Sequence, residues 1–221
     1  MNNFISPFDI NTNLIYIQNK LAKKVITGDE DEIPEIITGV DVSFSKNNKA
    51  VAAAVSVDLE TLKITEKITQ EKELCFPYIP GLLGFREADA MVSVLKGLKE
   101  GFDVAMINGH GVLHPRSFGL ASQVGLLTDK PAIGVAKSLT SGKYTVQDLS
   151  FNTKLSGAKP VVHGDEIIGA YMNGNYISVG HKISLERAVK IVENSSIYNT
   201  PEPLRQAHML ATEVFKNLLK N

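Results

Sequence analysis

Cysteine occurs once in this chain, at Cys75, so neither an intramolecular disulfide nor a cysteine-built zinc cage can form. That usage suits a reducing compartment, and a cytoplasmic location is expected. Long apolar runs are missing too. The longest, such as Ala50 to Val55, fall far short of the roughly 20 residues that a membrane span needs. The opening MNNFISPFDI lacks a basic segment followed by an apolar one, so no secretory signal is expected. Charge of one sign does not dominate either. A formal net charge of −1 excludes a uniformly basic nucleic-acid binder, but not a local basic groove. No repeat, low-complexity segment or linker divides the chain, and its 221 residues are expected to form one domain, 1–221.

What is present is a series of clear periodicities. Leu14, Ile17, Leu21 and Val25 are helically spaced and predict a first helix over residues 11–25. The acidic run from Gly28 to Glu32 reads as a loop. EIITGVDVSF, KAVAAAVSVDL and LKITEKITQEKEL predict three strands, joined by turns at Asn47-Asn48 and Glu60-Thr61 into an antiparallel meander. PYIPGLLGF is a Pro- and Gly-punctuated connection to a helix whose stripe is Ala88, Met91, Val92, Leu95 and Leu98. A strand at Phe102 to Ile107, a helix with Leu120, Val124 and Leu127, and the strand PAIGVAKS follow, implying a parallel pair with a crossover. Asn173-Gly174 predicts a hairpin, Ser184 a helix cap, and Pro203 to Lys220 a final amphipathic helix. The expected fold is α/β: an RNase H-like mixed sheet, meander plus parallel strands, with helices on both faces.

Asp41 interrupts the apolar GVDVSF, where a buried carboxylate needs compensation; an Asp solvated or bonded near a strand end is the plainer alternative. Glu87 lies at the edge of the inward helix stripe, or simply favours the positive helix terminus. Asn108 ends the fourth strand. If the first and fourth strands are neighbours, Asp41, Glu87 and Asn108 bring three hard oxygen donors to one sheet edge. That set suits Mg²⁺, with Mn²⁺ able to substitute, and phosphodiester hydrolysis. His114 could shuttle a proton, and Lys137 could hold a phosphate. Gly109 and Gly111 would let a nucleotide backbone or extruded base approach closely, or would only make a tight turn.

GVDVSF, PYIPGLLGFRE, INGHGVLHPRSFGLAS, GVAKS and SVGHKISLE, in this order, resemble the endonuclease V (deoxyinosine 3′ endonuclease) family. The resemblance runs from IQNKLAKKV to EPLRQAH. It implies an RNase H-like fold and Mg²⁺-dependent nicking, in nucleic-acid repair, at the second phosphodiester 3′ to a deaminated adenine (inosine). DNA is favoured over RNA, and a monomer is implied. Asp41 and Glu87 fall on the family's metal-binding acids, and His114 and Lys137 on active-site positions. Tyr78 matches the residue that wedges beside the flipped base, in a loop stiffened by prolines; an aromatic ring there can replace lost stacking. Pro80, Gly81, Gly109, Gly111 and Arg116 are expected to contact substrate with it.

Two departures accompany the resemblance. Where the family reads Asp-Gly, this chain reads Asn108-Gly109, which removes one negative charge beside a divalent ion. Weaker metal binding and slower cleavage are expected. Asp103, roughly 15 Å away along the same strand, cannot substitute. The hairpin GAYMNGNYISVG is shorter than usual and lacks the family's arginine. A non-cleaving, inosine-binding homologue and a carboxylate-to-amide variant that traps substrate are the alternatives. Lys20, Lys23, Lys24, Arg116, Lys137, Lys143 and Lys182 are expected to share one basic face. His181 is expected to be structural, and His208 either structural or adjacent to the metal ligands.

Overall fold

The computed structural model describes residues 7–28, 34–45, 47–139, 144–147 and 155–219. The expected acidic loop beyond residue 28 and Lys143 lie outside them. In chain order the elements are α1 (Pro7–Ala22), β1 (Ile36–Phe44), β2 (Lys49–Asp58), β3 (Ile64–Glu73), α2 (Leu83–Lys96), β4 (Val104–Asn108), α3 (Leu120–Thr128), β5 (Ala132–Ala136), β6 (Thr145–Val146), β7 (Lys159–His163), β8 (Glu166–Met172), β9 (Asn175–His181), α4 (Leu185–Asn194), β10 (Ser196–Ile197), β11 (Thr200–Pro201) and α5 (Glu202–Leu218).

A nine-stranded mixed sheet runs β3-β2-β1-β4-β5-β9-β8-β7-β6. The meander is antiparallel, β1-β4 and β4-β5 are parallel, and β5-β9 returns to antiparallel pairing. β1 and β2 are buried almost throughout, which is why β2 reads as a nearly continuous apolar run and β1 as one broken chiefly by Asp41. β3 ends the order and carries Lys, Glu, Gln or Thr at every position but Ile64 and Ile68, as suits an edge strand that must not pair with another chain. One face of the sheet packs Val40, Ala54 and Ile107 against Met91, Leu95 and Val124 of α2 and α3. The other packs Ile37, Val55 and Met106 against Val189, Leu204 and Ala207 of α4 and α5. The expected mixed sheet with helices on both faces is present.

Two features aim the chain at its candidate site. Val40 pairs with Ile107 in the parallel register of β1 and β4, so Asp41 and Asn108 are side-by-side neighbours at one edge. A Cβ on Gly39 would lie 2.2 Å from the Pro203 carbonyl carbon, so only glycine lets the start of α5 cross β1 this closely. That crossing brings the next turns of α5 over Asp41. The short ladders β6-β7 and β10-β11 were not expected, because two-residue pairings carry no readable period. Ser184 caps α4 as expected, its hydroxyl accepting from the Arg187 N–H at 3.1 Å.

Candidate active site

At the shared edge of β1 and β4, Asn108 Nδ2 donates to Asp41 Oδ1 at 3.0 Å. His208 Nδ1, from α5, donates to the other oxygen, Oδ2, at 2.7 Å. The buried Asp41 carboxylate is therefore held from both sides, as its apolar surroundings require. The contact from His208 is one that the sequence left open.

Glu87 opens the second turn of α2 and is 6% exposed. Burial, and after it the charge of Asp41, raises its carboxyl to about 7. Arg86 opposes this, but its guanidinium is engaged by the Phe76 carbonyl and by Asn48 Oδ1. Two acids and an amide thus meet at this edge, with too little positive charge for both acids. Among the described residues no group of three or more His, Cys, Asp or Glu side chains forms a metal cluster. The donors are nonetheless hard oxygens, and a divalent cation would offset both the burial and the Asp41 charge that raise Glu87, so the set fits such an ion.

Beside these groups lies a pocket of about 460 Å³, walled by Gly81, Gly109, His114, Leu120 and Lys137, with Asn108 on its rim. Tyr78 lines it too and is 64% exposed, so its ring stands at the mouth and not in the core. The loop behind Tyr78 is tied down at Gly81, whose carbonyl accepts from Arg116 Nη2 at 2.6 Å and from Gln18 Nε2 at 3.0 Å. Arg116 Nε donates to Gln18 Oε1 at 2.6 Å. Gln18 was missed in the sequence. Its signal is that it shares a helical stripe with Leu14 and Leu21; it is buried there, while Ile17 is exposed. Pro80 is exposed beside Gly81.

His114 is buried, and desolvation, then Arg116, then His110 push it down to about 4, against a hydrogen bond with Gly81. It is therefore neutral near pH 7, suited to accepting a proton or hydrogen bond and not to acting as a preloaded acid. His110 bonds the Ser138 carbonyl at 2.8 Å. Lys137 is exposed at the end of β5 and donates to Asn175 Oδ1 at 2.8 Å. His181 accepts from the Ile26 N–H at 3.2 Å, a structural position.

Two expectations are corrected. Gly111 does not leave room for a nucleotide: an added Cβ would lie 1.9 Å from the Val179 carbonyl oxygen, so β9 already fills that space. Lys182 does not share a face with Lys137. It sits at the opposite end of the sheet, 3.0 Å from Asp129, where β9 ends beside the start of β5.

The Endonuclease V family profile matches residues 19–209. Endonuclease V of Thermofilum pendens is 39% identical over 206 residues, 88% of this chain and 84% of that protein. The catalytic domain of human endonuclease V superposes with a TM-score of 0.87 at 28% identity, covering 97% of this chain and 99% of that one. Ciona intestinalis endonuclease V, solved with a 24mer DNA containing an inosine followed by a ribo-adenosine, superposes with a TM-score of 0.77 at 26% identity, covering 95% and 99%.

Proposed function

The chain belongs to the endonuclease V family, and on that footing we propose that it nicks inosine-containing nucleic acid at the second phosphodiester 3′ to the lesion. DNA is the favoured substrate, and the enzyme acts in the cytoplasm as a monomer. The observation that carries this reading is the Asn108–Asp41 contact at 3.0 Å, with Glu87 raised beside it, on the rim of the pocket that Tyr78 borders.

Mg²⁺, with Mn²⁺ as a substitute, would be held by Asp41, Glu87 and the amide oxygen of Asn108, supplying an ionisable water and positive charge for the scissile phosphate. Asn108 and His208 orient Asp41 through its two oxygens. Lys137, steadied by Asn175, offers its ammonium to the phosphate. Tyr78, stiffened by Pro77 and Pro80, fills the gap that the extruded base leaves, and the pocket receives that base. Gly109 and Gly81 wall that pocket, and Arg116 serves it by fixing the Gly81 carbonyl. Neutral His114 lies within the pocket as a hydrogen-bond partner.

Asn108→Asp tests the reading. The added carboxylate restores a third acid, so metal-dependent nicking of an inosine oligonucleotide should rise roughly ten- to a hundredfold. The same change replaces the amide donor to Asp41 with a like charge, so the metal-free protein should lose stability. A nicking time course and a gel shift at fixed salt decide the matter. Equal cutting by both proteins would mean that the amide is an adequate ligand. Binding without cutting by both would make this a non-cleaving inosine binder.

A further inference from the structure

The rim formed by Asn108 and Lys137 has two sides. The pocket bordered by Tyr78 lies on one. On the other is a cavity of about 250 Å³, closed by Val135, Pro201 and Leu204. Asn108, Ala136 and Lys137 line both hollows, so the two meet across the candidate catalytic edge. The second cavity is largely apolar in its walls, Thr200 lies on its margin, and the other groups there are mostly engaged, Arg205 by Glu202. His208 donates to Asp41 and Asn175 accepts from Lys137.

Its shape is built and held. β10 and β11 pair as a tight hairpin whose turn residues, Tyr198 and Asn199, have φ of 54° and 64°. Asn175 Nδ2 donates to the Asn199 carbonyl at 2.9 Å, locking that hairpin to β9 and thereby fixing Pro201 beside Lys137. A largely apolar slot whose charged edge groups are already paired suits a flat aromatic face and offers little with which to read base identity.

Connectivity supplies the occupant. A strand whose extruded base enters on the Tyr78 side and whose phosphate rests by Asp41 and Lys137 must continue across the rim. We infer that this cavity receives the base of the nucleoside immediately 3′ of the cleaved phosphodiester, by stacking and apolar contact. The inference rests on the endonuclease reading above. A base held there anchors the strand beyond the cut, so the scissile phosphate is fixed from both sides.

The test uses inosine oligonucleotides with a tetrahydrofuran abasic analogue either 3′ of the cut or at the nucleoside between inosine and the cut. Binding is read by gel shift without divalent metal, and KM and kcat with Mn²⁺. Loss of the base 3′ of the cut should weaken binding and raise KM by roughly fivefold or more. Exchange among the four natural bases there should matter far less. Thr200→Trp, which places an indole at the cavity mouth, should weaken binding of the intact strand by a similar factor and leave the abasic strand unaffected. Equal affinity for intact and abasic strands overturns the inference. So does a loss confined to the intervening nucleoside, or a Thr200→Trp effect equal on both strands. If the binding pattern holds and no strand is cut, the cavity assignment survives and the endonuclease reading fails.

Discussion

The two ends of strands β1, β4 and β5 carry acidic residues of opposite character. At the start of β4, Asp103 Oδ2 accepts from the Glu35 and Ile36 N–H groups at 2.9 and 2.8 Å. Asp129, in the left-handed cap of α3, is held below the usual carboxylate range by Lys182. At the other end Glu87 is driven up to about 7 by burial and by Asp41. The larger hollow, about 650 Å³, lies at the balanced end, and the Tyr78 pocket, about 460 Å³, at the unbalanced one. In the proposed assignment the chemistry is marked by uncompensated charge brought together at one sheet edge, and not by volume.

The sharpest break of that contrast is a matched pair of truncations. Asp41→Ala should reduce nicking by more than the roughly hundredfold typical of losing a hydrogen-bonded partner of a metal ligand. Asp103→Ala should leave nicking intact. Comparable losses in the two variants would dissolve the distinction between the ends.

A smaller effect follows from the opposed shifts of Glu87 and His114. Glu87 has a raised carboxyl, so its contribution to metal-free stability is complete below its ordinary value of 4.5. It is lost as pH rises through about 7, by up to roughly 3 kcal/mol. Glu87→Gln should flatten that loss, and saturating Mg²⁺ should do the same in the unsubstituted protein. His114 is depressed, so its contribution is complete above 6.5 and is lost as pH falls through about 4, by a similar amount. His114→Gln should remove this acid limb. Denaturant midpoints across the pH range, with and without chelator, separate the two slopes. An unchanged slope in either variant refutes its assignment.

The smallest expected change is at the balanced end. Asp103→Ala deprives two backbone N–H groups of their acceptor, at about 1 kcal/mol because that region is solvent-accessible. Thermal unfolding of the truncated protein measures it.

Much of the fold was legible. The nearly continuous apolar run of β2, the largely apolar β1 and the helical stripes in α2 and α4 are direct records of which faces become buried. The candidate site was legible in part. Asp41 inside an apolar strand and Asn108 at the end of another announced themselves by position, and the parallel register sets them side by side. Tyr78 was readable because its prolines hold a loop outward, and its ring is exposed. The helical stripe expected over residues 11–25 was less faithful at Ile17, since Gln18 takes the buried place to hold Gly81 and Phe118.

Local sequence thus determined the longer elements, their buried faces and the residue types at the sheet edge, because these depend on periodicity and backbone preference. Tertiary structure alone decided that His208 meets Asp41 across 167 residues, a contact set by how closely Gly39 lets α5 approach. It also decided that the space beside Gly111 is filled by β9, and that Lys182 faces Asp129 at the end of the sheet opposite Lys137. The charge state of Glu87 belongs to the same class. Desolvation and the field of Asp41 exist only once α2 and β1 have packed together.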